Sequence, residues 1–113
     1  MATFEIICTD VFDGLAGIQS NSIDLVVTSP PYNIGKDYER VMSMSDYITW
    51  CSRWMNEIHR VTKPRGSFWL NLGYVKVPGK GHAVPLPYLL WDRSPFYMLQ
   101  EIVWHYGAGV TAR

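Results

Sequence analysis

Apolar and polar positions divide the chain into short strand-like runs separated by helical stripes. Residues 4–8 are rich in strand-favouring side chains and lead into Asp10. A short helix is predicted over 13–20, with Leu15 and Ile18 inward and Asp13 placed to cap it. Asn21-Ser22 breaks it, and 23–27 reads as a second strand whose near-continuous apolar run suits a buried parallel sheet. The longest periodic segment is 46–61. There Tyr47, Cys51, Trp54, Ile58 and Val61 alternate spacings of four and three, one stripe of a helix with Ser45 at its N-cap. Lys63-Pro64-Arg65-Gly66 turns the chain into a third strand over 67–72. Residues 73–85 carry glycines, lysines and prolines without a period and read as a loop. A helix is expected to start at 87–91 until Pro95 interrupts it, and 102–104 belongs to a fourth strand.

Strand, helix, strand, helix, strand is the order of an α/β domain with a mostly parallel sheet. Ligands of such sheets bind beyond the carboxyl ends of the strands. That rule directs attention to Thr9-Asp10, residues 28–33, Asn71-Leu72-Gly73 and Tyr106-Gly107.

Composition narrows the classes. The 113 residues are 48% hydrophobic and 18% charged, a globular balance that excludes a disordered chain. Ten Lys+Arg offset ten Asp+Glu, so binding to nucleic acid has to come from local patches. No apolar run approaches the roughly 20 residues of a membrane span. The amino terminus has acids where a secretory signal has bases, so a cytoplasmic protein without membrane contact is expected. Cys8 and Cys51 are too few for a disulfide scaffold, and His59, His82 and His105 are scattered, so no metal site is expected.

Candidate chemistry sits where the second strand ends, at Thr28-Ser29-Pro30-Pro31-Tyr32. Neither proline has a backbone N–H, so the loop does not close with ordinary turn bonds. Ser29 and Pro30 each precede a proline and are pushed to extended conformations. The product is a stiff segment with carbonyls available to a ligand, a hydroxyl at Ser29 and an aromatic face at Tyr32. A planar base with an exocyclic amino group fits this set. Tyr32 stacks on the ring while an acceptor pair takes the amino protons.

On these residues the chain resembles the amino-group DNA methyltransferases, which methylate cytosine N4 or adenine N6 using S-adenosylmethionine. The resemblance is carried by IDLVVTSPPYNIGKDYE over 23–39. It extends through Ile7-Cys8-Thr9-Asp10, the segment from Ile58 to Ser67, and Glu101-Ile102-Val103-Trp104. It implies a partial Rossmann-like methyltransferase domain, S-adenosylmethionine as methyl donor and DNA as partner. Ser29, Pro30, Pro31 and Tyr32 are the implied catalytic loop. Ser in the first position is associated with cytosine N4, and adenine N6 stays open. The target base has to leave the duplex to reach such a pocket. Neither cysteine follows a proline as in the cytosine-C5 enzymes, so direct transfer without a covalent enzyme intermediate is expected.

The resemblance further implies that Asp10 contacts the cofactor, with Thr28 beside it; a helix-start aspartate is the alternative for Asp10, and Thr9 stands where the family usually has Gly. Asp24 is expected to be structural. Asn33, Lys36 and Tyr38 continue the loop, where they touch DNA or are simply solvated. Asn71 ends the third strand beside the expected pocket. Trp104 resembles a position near the target base, or is a core tryptophan. Lys76, Lys80 and His82 are candidates for phosphate contacts on a solvated loop.

A glycine-rich cofactor turn is not evident. Gly79-Lys80-Gly81 follows no expected strand, and no helix is expected after Gly107-Ala108-Gly109 before Arg113. The family's sheet places two strands between the one ending at Asp10 and the Pro-Pro strand, both expected beyond residue 113. The chain is thus expected to be the amino-terminal part of the domain, completed by a carboxyl-terminal segment or a second polypeptide. A non-catalytic DNA-binding remnant and an unrelated α/β binding domain are the competing readings.

Overall fold

The computed structural model describes residues 2–35 and 41–105. Lys36, Tyr38, Tyr106 and the Gly107-Ala108-Gly109 segment lie outside the described residues.

A βαβ unit positions the site. Strand β1 (Ile23–Thr28) leads through a loop to helix α2 (Met44–Val61), which returns the chain to β2 (Thr62–Leu70). The two strands pair in parallel, with Val26 opposite Phe68, Val27 opposite Trp69 and Thr28 opposite Leu70. The pairing slips between Ile23 and Leu25, whose partners are Thr62 and Ser67. The Lys63–Gly66 turn expected from the sequence is therefore absorbed as an irregularity inside β2. Across it, the exposed Asp24 carboxylate pairs with Lys63 Nζ at 3.0 Å.

The α2 stripe is buried as its spacing predicts, with Met55 added to Tyr47, Cys51, Trp54, Ile58 and Val61. The helix starts two residues earlier than expected. Ser43, not Ser45, is the cap, its hydroxyl accepting from the Asp46 N–H at 3.1 Å, three residues into the helix. Asp46 in the first turn and His59 and Arg60 in the last complement the helix dipole.

Helix α1 (Val11–Ala16) is shorter and earlier than the expected 13–20, and Asp10 rather than Asp13 caps it. Arg60 fastens α1 to α2. Its guanidinium donates to the Ile18 carbonyl at 3.0 Å, the Leu15 carbonyl at 2.8 Å and Ser20 Oγ at 2.9 Å.

Residues 73–85 are not a loop. They form an antiparallel hairpin of β3 (Tyr74–Val77) and β4 (Gly81–Pro85), followed by α3 (Leu86–Leu90) and a 3₁₀ turn over Trp91–Arg93. The hairpin turn is Val77-Pro78-Gly79-Lys80, closed by the Lys80 N–H donating to the Val77 carbonyl at 2.9 Å. Gly79 takes φ +76 there, the left-handed conformation that a Pro-Gly turn of this kind demands. Val75, Leu86 and Leu90 complete the core against α2, and the half-buried Val26, Phe68 and Leu70 pack onto it from the sheet.

Two expected strands do not form. Residues 4–8 and 102–104 adopt no strand, and Phe4, Ile6, Ile7, Ile102 and Val103 are exposed. A strand needs a neighbour to take its N–H and C=O groups. Neither segment has one among the described residues. The other face of the β1–β2 pair is also open: Leu25, Val27 and Trp69 project from it exposed, although the apolar run of β1 predicts burial on both faces.

Candidate functional site

The loop after β1 is held from three sides. Register sets the first constraint. With Thr28 opposite Leu70, the next residues, Ser29 and Asn71, emerge side by side from the paired ends. The Asn71 N–H donates to the Thr28 carbonyl at 2.9 Å, extending the parallel ladder by one bond. Its side-chain Nδ2 donates to Ser29 Oγ at 3.1 Å and to the Tyr32 hydroxyl at 3.2 Å.

The second constraint comes from α2, where the hydroxyl of buried Tyr47 donates to the Pro31 carbonyl. The sequence places Tyr47 in an apolar stripe and says nothing of this contact. A tyrosine among otherwise apolar core positions, with a hydroxyl that needs a partner, is the signal that was available.

The third is Asn33, which takes φ +65, a conformation asparagine tolerates better than most residues. Its carboxamide clamps Met42 from both sides, Nδ2 donating to the Met42 carbonyl at 2.9 Å and Oδ1 accepting from the Met42 N–H at 2.7 Å. Asn33 thus ties the two ends of the segment between β1 and α2.

These bonds narrow the free acceptors. The Thr28 and Pro31 carbonyls are both engaged. The Pro30 carbonyl has no hydrogen-bond partner among the described residues, and Ser29 Oγ accepts one bond and keeps a lone pair and its proton. Tyr32 is half-buried, its ring against the α-carbon of Gly73, where a Cβ would come within 3.0 Å of Cδ2 and 3.1 Å of Cε2. A side chain at residue 73 would push the ring out of its seat. The assembly is an exposed hydroxyl, an unengaged carbonyl and a seated aromatic ring at the carboxyl end of a parallel strand.

Asp10, expected from the resemblance to contact the cofactor, is exposed, and its Oδ2 accepts the Phe12 N–H at 2.9 Å as the α1 cap. Its second carboxylate oxygen remains able to accept from the ammonium or hydroxyl groups of S-adenosylmethionine, so the donor set at this end fits that group in part. Thr28 is half-buried at the end of β1. Trp104 is 71% exposed, not a core residue, and lies outside any strand. Lys76, Lys80 and His82 are exposed on the β3–β4 hairpin rather than on a loop. No three His, Cys, Asp or Glu side chains cluster as metal ligands among the described residues. No described helix is long and apolar enough to cross a membrane.

Cys51 lies in the core on α2, where burial pushes its thiol up to about 11, only partly opposed by Tyr47 and Trp54. A thiol held protonated is a poor nucleophile. Cys51 is part of the packing.

Comparison with known proteins finds relatives over most of the chain. A family model described as DNA methylase, covering the N6 and N4 enzymes, matches residues 23–113. The chain is 60% identical over 104 residues to the type II methyltransferase M.ScaI of Streptomyces caespitosus, covering 92% of this chain and 34% of that protein. It is 31% identical over 110 residues to the type II methyltransferase M.HpaI of Haemophilus parainfluenzae, covering 93% of this chain and 32% of that protein. It is also 31% identical over 113 residues to the DNA adenine methyltransferase YhdJ of Escherichia coli, covering 96% and 35% respectively. The chain thus spans about a third of the length of these relatives. The matched span includes β1, the Ser-Pro-Pro-Tyr loop, α2 and β2, and on it the chain belongs to the N6/N4 DNA methylase family.

Proposed function

We propose that this chain is the amino-terminal, catalytic-loop part of a site-specific DNA methyltransferase that methylates the exocyclic amino group of a flipped base, cytosine N4 in the first instance. The observation that carries the reading is the Ser29-Pro30-Pro31-Tyr32 loop at the end of β1, with Ser29 Oγ and the Tyr32 hydroxyl both held by Asn71 and the Pro30 carbonyl without a hydrogen-bond partner among the described residues. The amino lone pair of a nucleobase is delocalised into the ring and is a poor nucleophile. Hydrogen bonds from its two N–H groups to Ser29 Oγ and the Pro30 carbonyl favour a pyramidal nitrogen with the lone pair aimed outward. Tyr32 stacks on the flipped ring and fixes its plane. S-adenosylmethionine, when bound, supplies an electrophilic methyl group on a sulfonium. Ser29 Oγ and the Pro30 carbonyl would hold the amino nitrogen towards that methyl group, and the amino proton lost on methylation would leave to water. No side chain of the chain is covalently modified. The rate comes from placement and electrostatics.

Asp10 and Thr28 are the residues we assign to the cofactor side, with the remaining contacts supplied by the completing segment. Lys36, Asn33 and Trp104 are assigned to the DNA side. In Asn33 the clamp on Met42 makes this an indirect role, through the shape of the loop. The open sheet face of Leu25, Val27 and Trp69, and a span of only about a third of the relatives, support completion by a carboxyl-terminal segment or second polypeptide. Adenine N6 is the second reading, favoured by the similarity to a relative named as a DNA adenine methyltransferase.

Ser29→Ala in the completed enzyme tests the acceptor pair. Turnover is expected to fall by about 10- to 100-fold, with DNA affinity changed far less. Equal losses in both would remove Ser29 from the chemistry.

A further inference from the structure

Asn71 sits one residue past the paired end of β2, level with Ser29. A carboxamide nitrogen carries two protons. Here one goes to Ser29 Oγ at 3.1 Å and the other to the Tyr32 hydroxyl at 3.2 Å, so a single atom holds both side chains of the loop. Neither Ser29 nor Tyr32 makes another side-chain hydrogen bond among the described residues. The backbone of Asn71 is itself fixed by its bond to the Thr28 carbonyl. Two residues on, Gly73 lies against the Tyr32 ring, with no room for a side chain between them.

We propose that Asn71 is a positioning residue for amino-group methylation, setting the placement and hydrogen-bond polarity of Ser29 and Tyr32 together. The inference rests on the methyltransferase reading above. A hydroxyl that accepts from Asn71 cannot spend its own proton on that bond. Ser29 is therefore left with one lone pair directed away from Asn71 for an amino N–H, and its proton does not compete for the same site. Tyr32, tethered at its hydroxyl and seated against Gly73, cannot rotate out of the plane in which it stacks. Asn71 need not touch the base to act in this way. A misplacement of about 1 Å at a reacting centre costs on the order of 100-fold in rate, so the loss appears in the chemical step rather than in DNA encounter.

The test uses the completed methyltransferase, with single-turnover methylation under saturating S-adenosylmethionine and equilibrium binding of the DNA substrate. Asn71→Ala is expected to slow methyl transfer by about 10- to 100-fold while DNA affinity stays within about threefold. Asn71→Asp, of the same shape but without the two donors, should be slowed comparably, which separates hydrogen-bond polarity from bulk. Tyr32→Phe retains the ring and removes the hydroxyl. In that background Asn71→Ala should cost a smaller factor than in the wild type, because one of its two bonds is already gone. A wild-type rate in Asn71→Ala, parallel losses of rate and DNA affinity, or effects that simply multiply in the double variant would each overturn the role. Absence of any methyl transfer by the completed wild type would overturn the methyltransferase reading itself, and is seen before any variant is compared.

Discussion

Two apolar segments of this chain meet opposite fates. Along α2, Tyr47, Cys51, Trp54, Met55 and Ile58 are all buried. Residues 4–7 are also rich in apolar side chains, yet Phe4 is 92% exposed and Ile6 86% exposed. The difference is in what each requires. A helix satisfies its own backbone and needs only a surface to cover, which the β1–β2 pair and the β3–β4 hairpin provide. A strand needs a neighbour along its whole length, and none stands beside 4–7 among the described residues. An apolar pattern reports what a segment is able to bury; burial itself depends on a partner.

The largest effect that sharpens this contrast is truncation of a core aromatic. Trp54→Ala is expected to destabilise the chain by about 3–5 kcal/mol, whereas Phe4→Ala should stay within about 0.5 kcal/mol in denaturant unfolding. If a further segment completes the sheet beside residues 4–8, as proposed, Phe4→Ala should become costly in its presence. A large effect of Phe4→Ala in the 113-residue chain alone would break the comparison.

The same logic explains what could be read in advance. The 18 residues of α2 contain their own evidence, five full turns of one stripe, and its burial follows the predicted spacing. The βαβ order and the loop after β1 were legible for the same reason. The hairpin was not: strands of four and five residues, with Gly and Pro at their ends, offer too little alternation to see. Pro78-Gly79 at the centre of the turn was the available clue. The bonds from Asn71 to Ser29 and Tyr32 join residues some 40 positions apart and exist only because the β1–β2 register brings Thr28 level with Leu70. No local pattern encodes them. At Asp10 the cap on α1 was legible from local chemistry, an aspartate just before a short helix.

The two cysteines test the contrast at the next scale. Cys8 is exposed and Cys51 is buried. Because burial raises the Cys51 thiol from 9.0 to about 11 in the folded chain, the unfolded state loses its proton first as pH rises. Stability from this group is fully present below about pH 9 and falls as pH climbs towards 11, by at most about 1.4 kcal/mol per pH unit. Urea unfolding at pH 8, 9 and 10 should show that decline, and Cys51→Ala should lack it. Thiol reagents should label Cys8 rapidly and Cys51 only on unfolding. Rapid labelling of both in the folded chain would contradict the packing.

The smallest effect is at Asp10. Asp10→Asn keeps a cap acceptor and should be nearly neutral, while Asp10→Ala should cost about 1 kcal/mol through loss of the bond to the Phe12 N–H. If Asp10 also serves the cofactor, Asp10→Asn in the completed enzyme should weaken S-adenosylmethionine binding without that stability loss. Unchanged cofactor affinity would leave Asp10 as a cap alone.

The most direct test of the central claim is nucleoside mass spectrometry of DNA treated with the completed enzyme and methyl-labelled S-adenosylmethionine. Label is expected on an exocyclic amino group, N4-methylcytosine on the first reading and N6-methyladenine on the second, and it should be lost in Tyr32→Ala. Label at cytosine C5, or no label in DNA at all, would contradict that claim.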